Sequence, residues 1–130
     1  MKNVLLILAL FIIASCGQPT KKVIREYAGT YKTDTAKGCL IALIISLKPD
    51  GYHYKIKTSI REQEGLLAIN ESEKGVYFKF IGLLGTEPKD EIEGKYVDHR
   101  IVIQNYGNSM NEYLNFSECD IKYLELIPSK

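Results

Sequence analysis

The sequence predicts an all-β domain, a small antiparallel up-and-down barrel of seven or eight strands, preceded by a signal segment. Three observations lead there. From residue 26 onward, apolar residues recur with a period of two rather than 3.6. Turn-forming clusters fall about every 8 to 12 residues, the spacing of a sandwich or barrel. Tyrosine is frequent, nine against four Phe and no Trp, and its half-polar ring suits a sheet with one wet face. Closing the sheet removes edges that would otherwise pair with other chains.

The elements follow in order. Residues 26–33 place Tyr27, Gly29 and Tyr31 on one side of a first strand. Residues 39–47, CLIALIISL, are β-branched and apolar on both faces, which predicts a central, well-buried strand. Lys48, Pro49, Asp50 and Gly51 form a turn, since Pro presets φ and Gly supplies φ > 0. In 52–58, Tyr52, Tyr54 and Ile56 face one way and His53, Lys55 and Lys57 the other, a hairpin arm with one wet face. Residues 61–65 read as a turn, 66–69 as a short strand and 70–75 as a turn. Val76, Phe78 and Phe80 alternate with Tyr77 and Lys79. Residues 82–89 form a loop with two glycines and Pro88. Residues 91–97 and 100–106 pair around Asp98 and His99, and 121–127 closes the sheet. This order makes a lipocalin-like barrel the first expectation.

The first residues carry a different signal. Met1, Lys2 and Asn3 make a short basic start, followed by an unbroken apolar run at 4–13, VLLILALFII. As a helix this run spans roughly 15 Å, half of a hydrocarbon core about 30 Å thick, so it fits a secretory signal rather than a membrane span. Ile13, Ala14, Ser15 and Cys16 then resemble the bacterial lipobox: a branched apolar residue, two small residues and a cysteine. The resemblance implies cleavage before Cys16 and transfer of a diacylglycerol group, with palmitate-like acyl chains, to its thiolate. Several chains on one cysteine hold a membrane far better than one, each buried CH₂ adding about 0.8 kcal/mol. By resemblance to enterobacterial lipoproteins, in which an Asp after the cysteine signals inner-membrane retention, Gly17 implies the outer membrane of the bacterial cell envelope. The expected organisation is a signal peptide at 1–15, a lipidated tether at 16–25 and a barrel at 26–130.

Charge narrows the function classes. Of 17 Lys and Arg, Lys2 leaves with the signal, so 16 basic residues face 16 acidic ones. No basic patch builds up, which argues against nucleic acid. No second apolar stretch is long enough to cross a membrane. Once Cys16 takes lipid, Cys39 and Cys119 remain, and an even pair in an oxidising compartment reads as a disulfide.

Candidate sites are few. Segment 105–120, NYGNSMNEYLNFSECD, carries Asn at 105, 108, 111 and 115 among Tyr106, Gly107, Tyr113 and Phe116. Aromatic anchors beside adaptable amides are the mixture of recognition loops, so Tyr106, Asn108, Asn111 and Tyr113 are the expected binding residues. The competing reading is a crossover whose amides satisfy its own backbone. His53 and His99 are far apart and no CxxC or HxxxH exists, so no metal and no cofactor is expected. Asp90, Glu91 and Glu93 read as a solvated strand end. Ser46, Ser59, Ser109 and Ser117 lack a nucleophile-elbow context, so no catalytic residue and no enzyme is expected.

Tyr27-Ala28-Gly29-Thr30-Tyr31, then Cys39, then Leu47-Lys48-Pro49-Asp50-Gly51-Tyr52-His53-Tyr54 resembles the opening of the NlpE family of copper-resistance and envelope-stress lipoproteins. The resemblance covers about a quarter of the chain and implies a small barrel on a lipid anchor. The family's CxxC pair is not present, because position 36 is Ala and Cys39 stands alone. The pattern is loosely similar to periplasmic lysozyme inhibitors, small disulfide-bonded barrels that present a loop to the enzyme's cleft. The expected function is therefore a monomeric, membrane-anchored, non-enzymatic binding or sensing module. Its partner would be an envelope protein or a small apolar ligand in the barrel. The alternative is an inhibitor of a lysozyme-type hydrolase, with an enzyme of unknown class third.

Overall fold

The computed structural model describes residues 26–34, 38–86 and 91–130. The signal peptide at 1–15, the tether at 16–25 and the lipidation site Cys16 lie outside the described residues. The described residues are all-β. Ten strands form: β1 (Gly29–Thr33), β2 (Ala42–Lys48), β3 (Gly51–Lys57), β4 (Glu62–Ser72), β5 (Gly75–Leu84), β6 (Glu91–Val97), β7 (Arg100–Gln104), β8 (Tyr106–Asn108), β9 (Asn111–Leu114) and β10 (Tyr123–Ser129). Eight of them close an antiparallel barrel in chain order, β1 through β7 and then β10, which returns to β1. β8 and β9 make a separate two-stranded ribbon inserted between β7 and β10. Every described strand and both bonded cysteines lie within 29–129, so a chain starting at residue 17 contains the described barrel.

Period-two alternation fills the interior. Leu43, Ile45, Tyr54, Ile56, Phe78, Phe80, Ile92, Ile101, Ile103, Leu124 and Leu126 all point inward and are buried. Tyr54 crosses its register partner Gly65, and its hydroxyl donates to the Ile81 carbonyl at 2.9 Å. A Cβ on Gly65 would lie 2.7 Å from that carbonyl oxygen and 3.0 Å from the Tyr54 ring, so only glycine lets the ring lie flat there. In β5 the register with β6 shifts between Lys79 and Leu84, and Gly82 takes φ +80°. This bulge lets Leu83 face the core after Phe80.

Tyr27, just before β1, closes one end of the barrel. Its ring meets Tyr52, Phe78 and Tyr96 edge-on at 5.0–5.9 Å, and its hydroxyl donates to Glu71 at 2.6 Å. The Tyr31 hydroxyl donates to the Tyr27 carbonyl at 2.9 Å, and burial, reinforced by the neighbouring Tyr96, pushes the Tyr31 phenol up to about 12. The interior is thus a packed core.

Three expectations need correction. Segment 39–47 is buried on one face only: Leu43 and Ile45 face in, while Ile44 on β2 and Leu40 before it are exposed on the other face; Leu47 shares the inward side but is exposed near the strand's end, opposite Tyr52. A closed barrel has a single interior, and no second layer covers this strand. The turn expected at 61–65 falls earlier, where Thr58 Oγ1 accepts the Ile60 and Arg61 amides, and Gly65 sits inside the long strand β4. Its glycine serves close packing, not chain reversal. The strand expected at 100–106 ends at Gln104, and the loop at 105–120 contains the β8–β9 ribbon.

Candidate functional site

The topology separates two ends. The β2–β3, β4–β5 and β6–β7 turns sit at the end where residue 26 enters. The β1–β2, β3–β4 and β5–β6 connections and the whole 105–122 crossover sit at the other. The expected binding residues therefore gather at the end opposite the N-terminal entry.

Asn105 anchors the crossover. It is fully buried, and its side chain donates to the Phe116 and Cys119 carbonyls at 3.2 and 2.7 Å and accepts the Phe116 amide at 2.7 Å. Its backbone adds bonds to Lys122 and Asn115. Cys119 is thereby presented to Cys39, and the two form a disulfide with Cα atoms 5.1 Å apart, closing a separation of 80 residues. On the Cys39 side, the Thr33 hydroxyl donates to the Cys39 carbonyl and accepts the Ile41 amide.

The ribbon projects from this base. Tyr106 pairs with Leu114 and Asn108 with Asn111, with Ser109 and Met110 at the tip. Asn108 Oδ1 accepts the Met110 and Asn111 amides, each at 3.0 Å, so this amide caps its own turn. Gly107 allows the arms to close, because a Cβ there would collide with the Asn111 carbonyl. Asn115 donates to the Gln104 carbonyl at 2.9 Å. Tyr106 and Asn111 are exposed; Tyr113 is half-buried, and burial followed by the nearby Tyr123 pushes its phenol up. Asn105, Asn108 and Asn115 thus serve backbone groups, and Asn111 presents its amide to solvent.

Two features of the candidate site lay outside the sequence reading. Met110 is 95 % exposed at the tip; the available signal was a single methionine, besides Met1, within a polar string. Arg61 is the second. Its guanidinium donates to the Leu84 and Asn115 carbonyls at 3.1 and 2.9 Å, pairs with Glu118 at 3.3 Å, and lies 4.9 Å from the Phe116 ring centre. It joins the β3–β4 turn to the base of the ribbon across more than 50 residues, a contact with no local signature. Burial alone would push the Glu118 carboxyl up. Hydrogen bonds from Thr58, from its own backbone amide and from Arg61 outweigh that and hold it below the usual carboxylate range.

The remaining candidates are dispersed. His53 Nε2 lies 2.9 Å from Asp50 Oδ1 in the β2–β3 hairpin, and the register sets Ser46 opposite His53 on the outer face. His99 shares the β6–β7 turn with Asp98, both at positive φ, and lies 3.4 Å from the Tyr96 hydroxyl. Glu91 accepts the Gly82 amide and pairs with Lys79 at 3.1 Å, which lowers its pKa; Glu93 stays exposed on β6, and Asp90 lies outside the described residues. Among the described residues, no three His, Cys, Asp or Glu side chains converge as a metal site would require. No protein-family model matches this chain, and neither do curated proteins or solved structures.

Proposed function

We propose that this chain is a lipid-anchored, non-enzymatic module of the bacterial cell envelope, held at the outer membrane through Cys16, that recognises another envelope protein through the β8–β9 ribbon. One observation carries the reading. The barrel interior is filled by side chains, while the ribbon stands at the end opposite residue 26, where the tether joins. A filled barrel favours a protein partner over a small apolar ligand inside it. Ten residues, 16–25, reach at most about 36 Å when extended. A tether joined at residue 26 leaves Tyr106, Met110, Asn111 and Tyr113, at the opposite end, open to a partner. Ribbon closure over Gly107 and the disulfide beneath it lower the ordering cost of binding.

The test is affinity capture from envelope extract with the 17–130 chain, alongside M110D and an N108A/N111A variant. Specific partners lost with M110D, at unchanged melting temperature, support the reading. Partners retained by both variants overturn it. The projecting tip also fits a second reading, insertion into the cleft of a lysozyme-type hydrolase, and lysis assays with added protein distinguish it.

A further inference from the structure

The outer face of the barrel carries a groove that the ribbon does not use. It is about 310 Å³, lies over β2 near the disulfide end, and is lined by Lys32, Leu40, Ile41, Ala42, Lys57 and Thr58 among others. Its floor is apolar. Leu40 is 61 % exposed, and Ile60 at the adjacent β3–β4 turn is 67 % exposed. The volume is at the lower end of what small-molecule sites offer, about 300–1,000 Å³.

Strand register explains the shape. Ala42 pairs with Lys32 on one side and with Lys57 on the other. A methyl group between two long side chains makes a trough. The two lysines stand two strand spacings apart, about 10 Å, and their apolar stems wall the trough while the ammonium groups rise to the rim.

The residues that line the groove include two lysines and no carboxylate. Glu62 is shared between Lys55 at 2.8 Å and Lys57 at 3.7 Å, so one carboxylate serves two ammonium groups. Glu64 stands opposite Lys55, one strand beyond Lys57's side of the groove. Asp34, two residues after Lys32, lines an adjoining depression that shares Thr33 with the groove. An apolar floor between two ammonium groups is complementary to a molecule with an alkyl chain and an anionic head.

We propose that this groove binds a free single-chain anionic amphiphile, a long-chain carboxylate. Its head lies between Lys32 and Lys57, and its chain runs over Ala42 and Leu40 towards Ile60. Binding draws on chain burial and charge together, so neither a short anion nor a cationic chain suffices.

The experiment is an amide-resolved NMR titration of the disulfide-bonded 17–130 chain with dodecanoate below its micelle concentration. Acetate and dodecyltrimethylammonium serve as head-only and opposite-charge probes. Dodecanoate is expected to give saturable shifts at Leu40, Ala42, Lys57 and Ser59, and the other two probes none. K32E/K57E should weaken binding at least tenfold at an unchanged melting temperature, and L40S several-fold, while K79E/K95E on the far face leaves it intact. Four results would overturn the proposal: no dodecanoate binding, shifts centred on the ribbon or on the Tyr27 end, equal binding of the cationic amphiphile, or unaltered affinity in K32E/K57E.

Discussion

Asn105 Nδ2 donates to the Cys119 carbonyl at 2.7 Å, and this bond holds one half of the disulfide in place before any sulfur chemistry is considered. The same side chain also satisfies Phe116 in both directions. Asn105→Ala would leave buried donors and acceptors unpaired, each costing about 1–3 kcal/mol. The expected loss is about 2–4 kcal/mol, a fall in melting temperature on the order of 10 °C or more. Asn111→Ala, at an exposed position, should change melting by a small fraction of that. Thermal denaturation followed by circular dichroism compares them, and equal effects would deny Asn105 its structural role.

Glu118 should contribute to acid sensitivity. Its folded pKa is depressed, so its stabilising contribution is fully present above the ordinary carboxylate value and is lost as pH falls through the folded value. Glu118→Gln is therefore expected to destabilise the protein most near neutral pH, with the gap from wild type closing below about pH 4. Arg61→Ala should cost more than Glu118→Gln, because the guanidinium also holds Leu84, Asn115 and the Phe116 ring. Melting temperatures from pH 3 to 8 report both effects; a gap that widens on acidification would contradict the assignment.

The disulfide closes a loop of 80 residues, and chain entropy alone then stabilises the fold by about 4 kcal/mol. Cys39→Ser with Cys119→Ser should lower the melting temperature substantially without altering the strand content. Intact mass after alkylation should rise by two further alkyl groups only when reductant is present. Both thiols reacting without reductant would show that the bond does not form in the isolated protein.

Membrane attachment is expected to depend on Cys16. Cys16→Ala should leave the chain unlabelled by an alkyne palmitate and absent from the membrane fraction. Equal labelling of mutant and wild type would sink the lipobox reading.

The barrel was legible in the sequence because its information is local. Alternation in Tyr52, Tyr54 and Ile56 against His53, Lys55 and Lys57 names the inward face directly. The pairing of Cys39 with Cys119 was legible by elimination, once Cys16 is assigned to lipid. Residues 39–47 misled because an apolar strand looks the same whether one face or both are covered. The Asn string was legible as unusual, but the division of labour within it was not. Asn105, Asn108 and Asn111 are the same residue type, and only position decides which amide is buried, which caps a turn and which meets solvent.

By itself, then, the sequence determined an all-β domain, the inward face of alternating strands such as 52–58, the Pro49–Gly51 turn and the Cys39–Cys119 pairing, because each follows from period, composition or count. Only the tertiary structure decided the rest. Barrel closure chose a single buried face, and the placement of the crossover put the ribbon opposite residue 26. Strand register set Ala42 between Lys32 and Lys57, and long-range folding brought Arg61 to Glu118. The physical reason is shared: these are contacts between residues far apart in the chain, and no local propensity records them until the sheet closes.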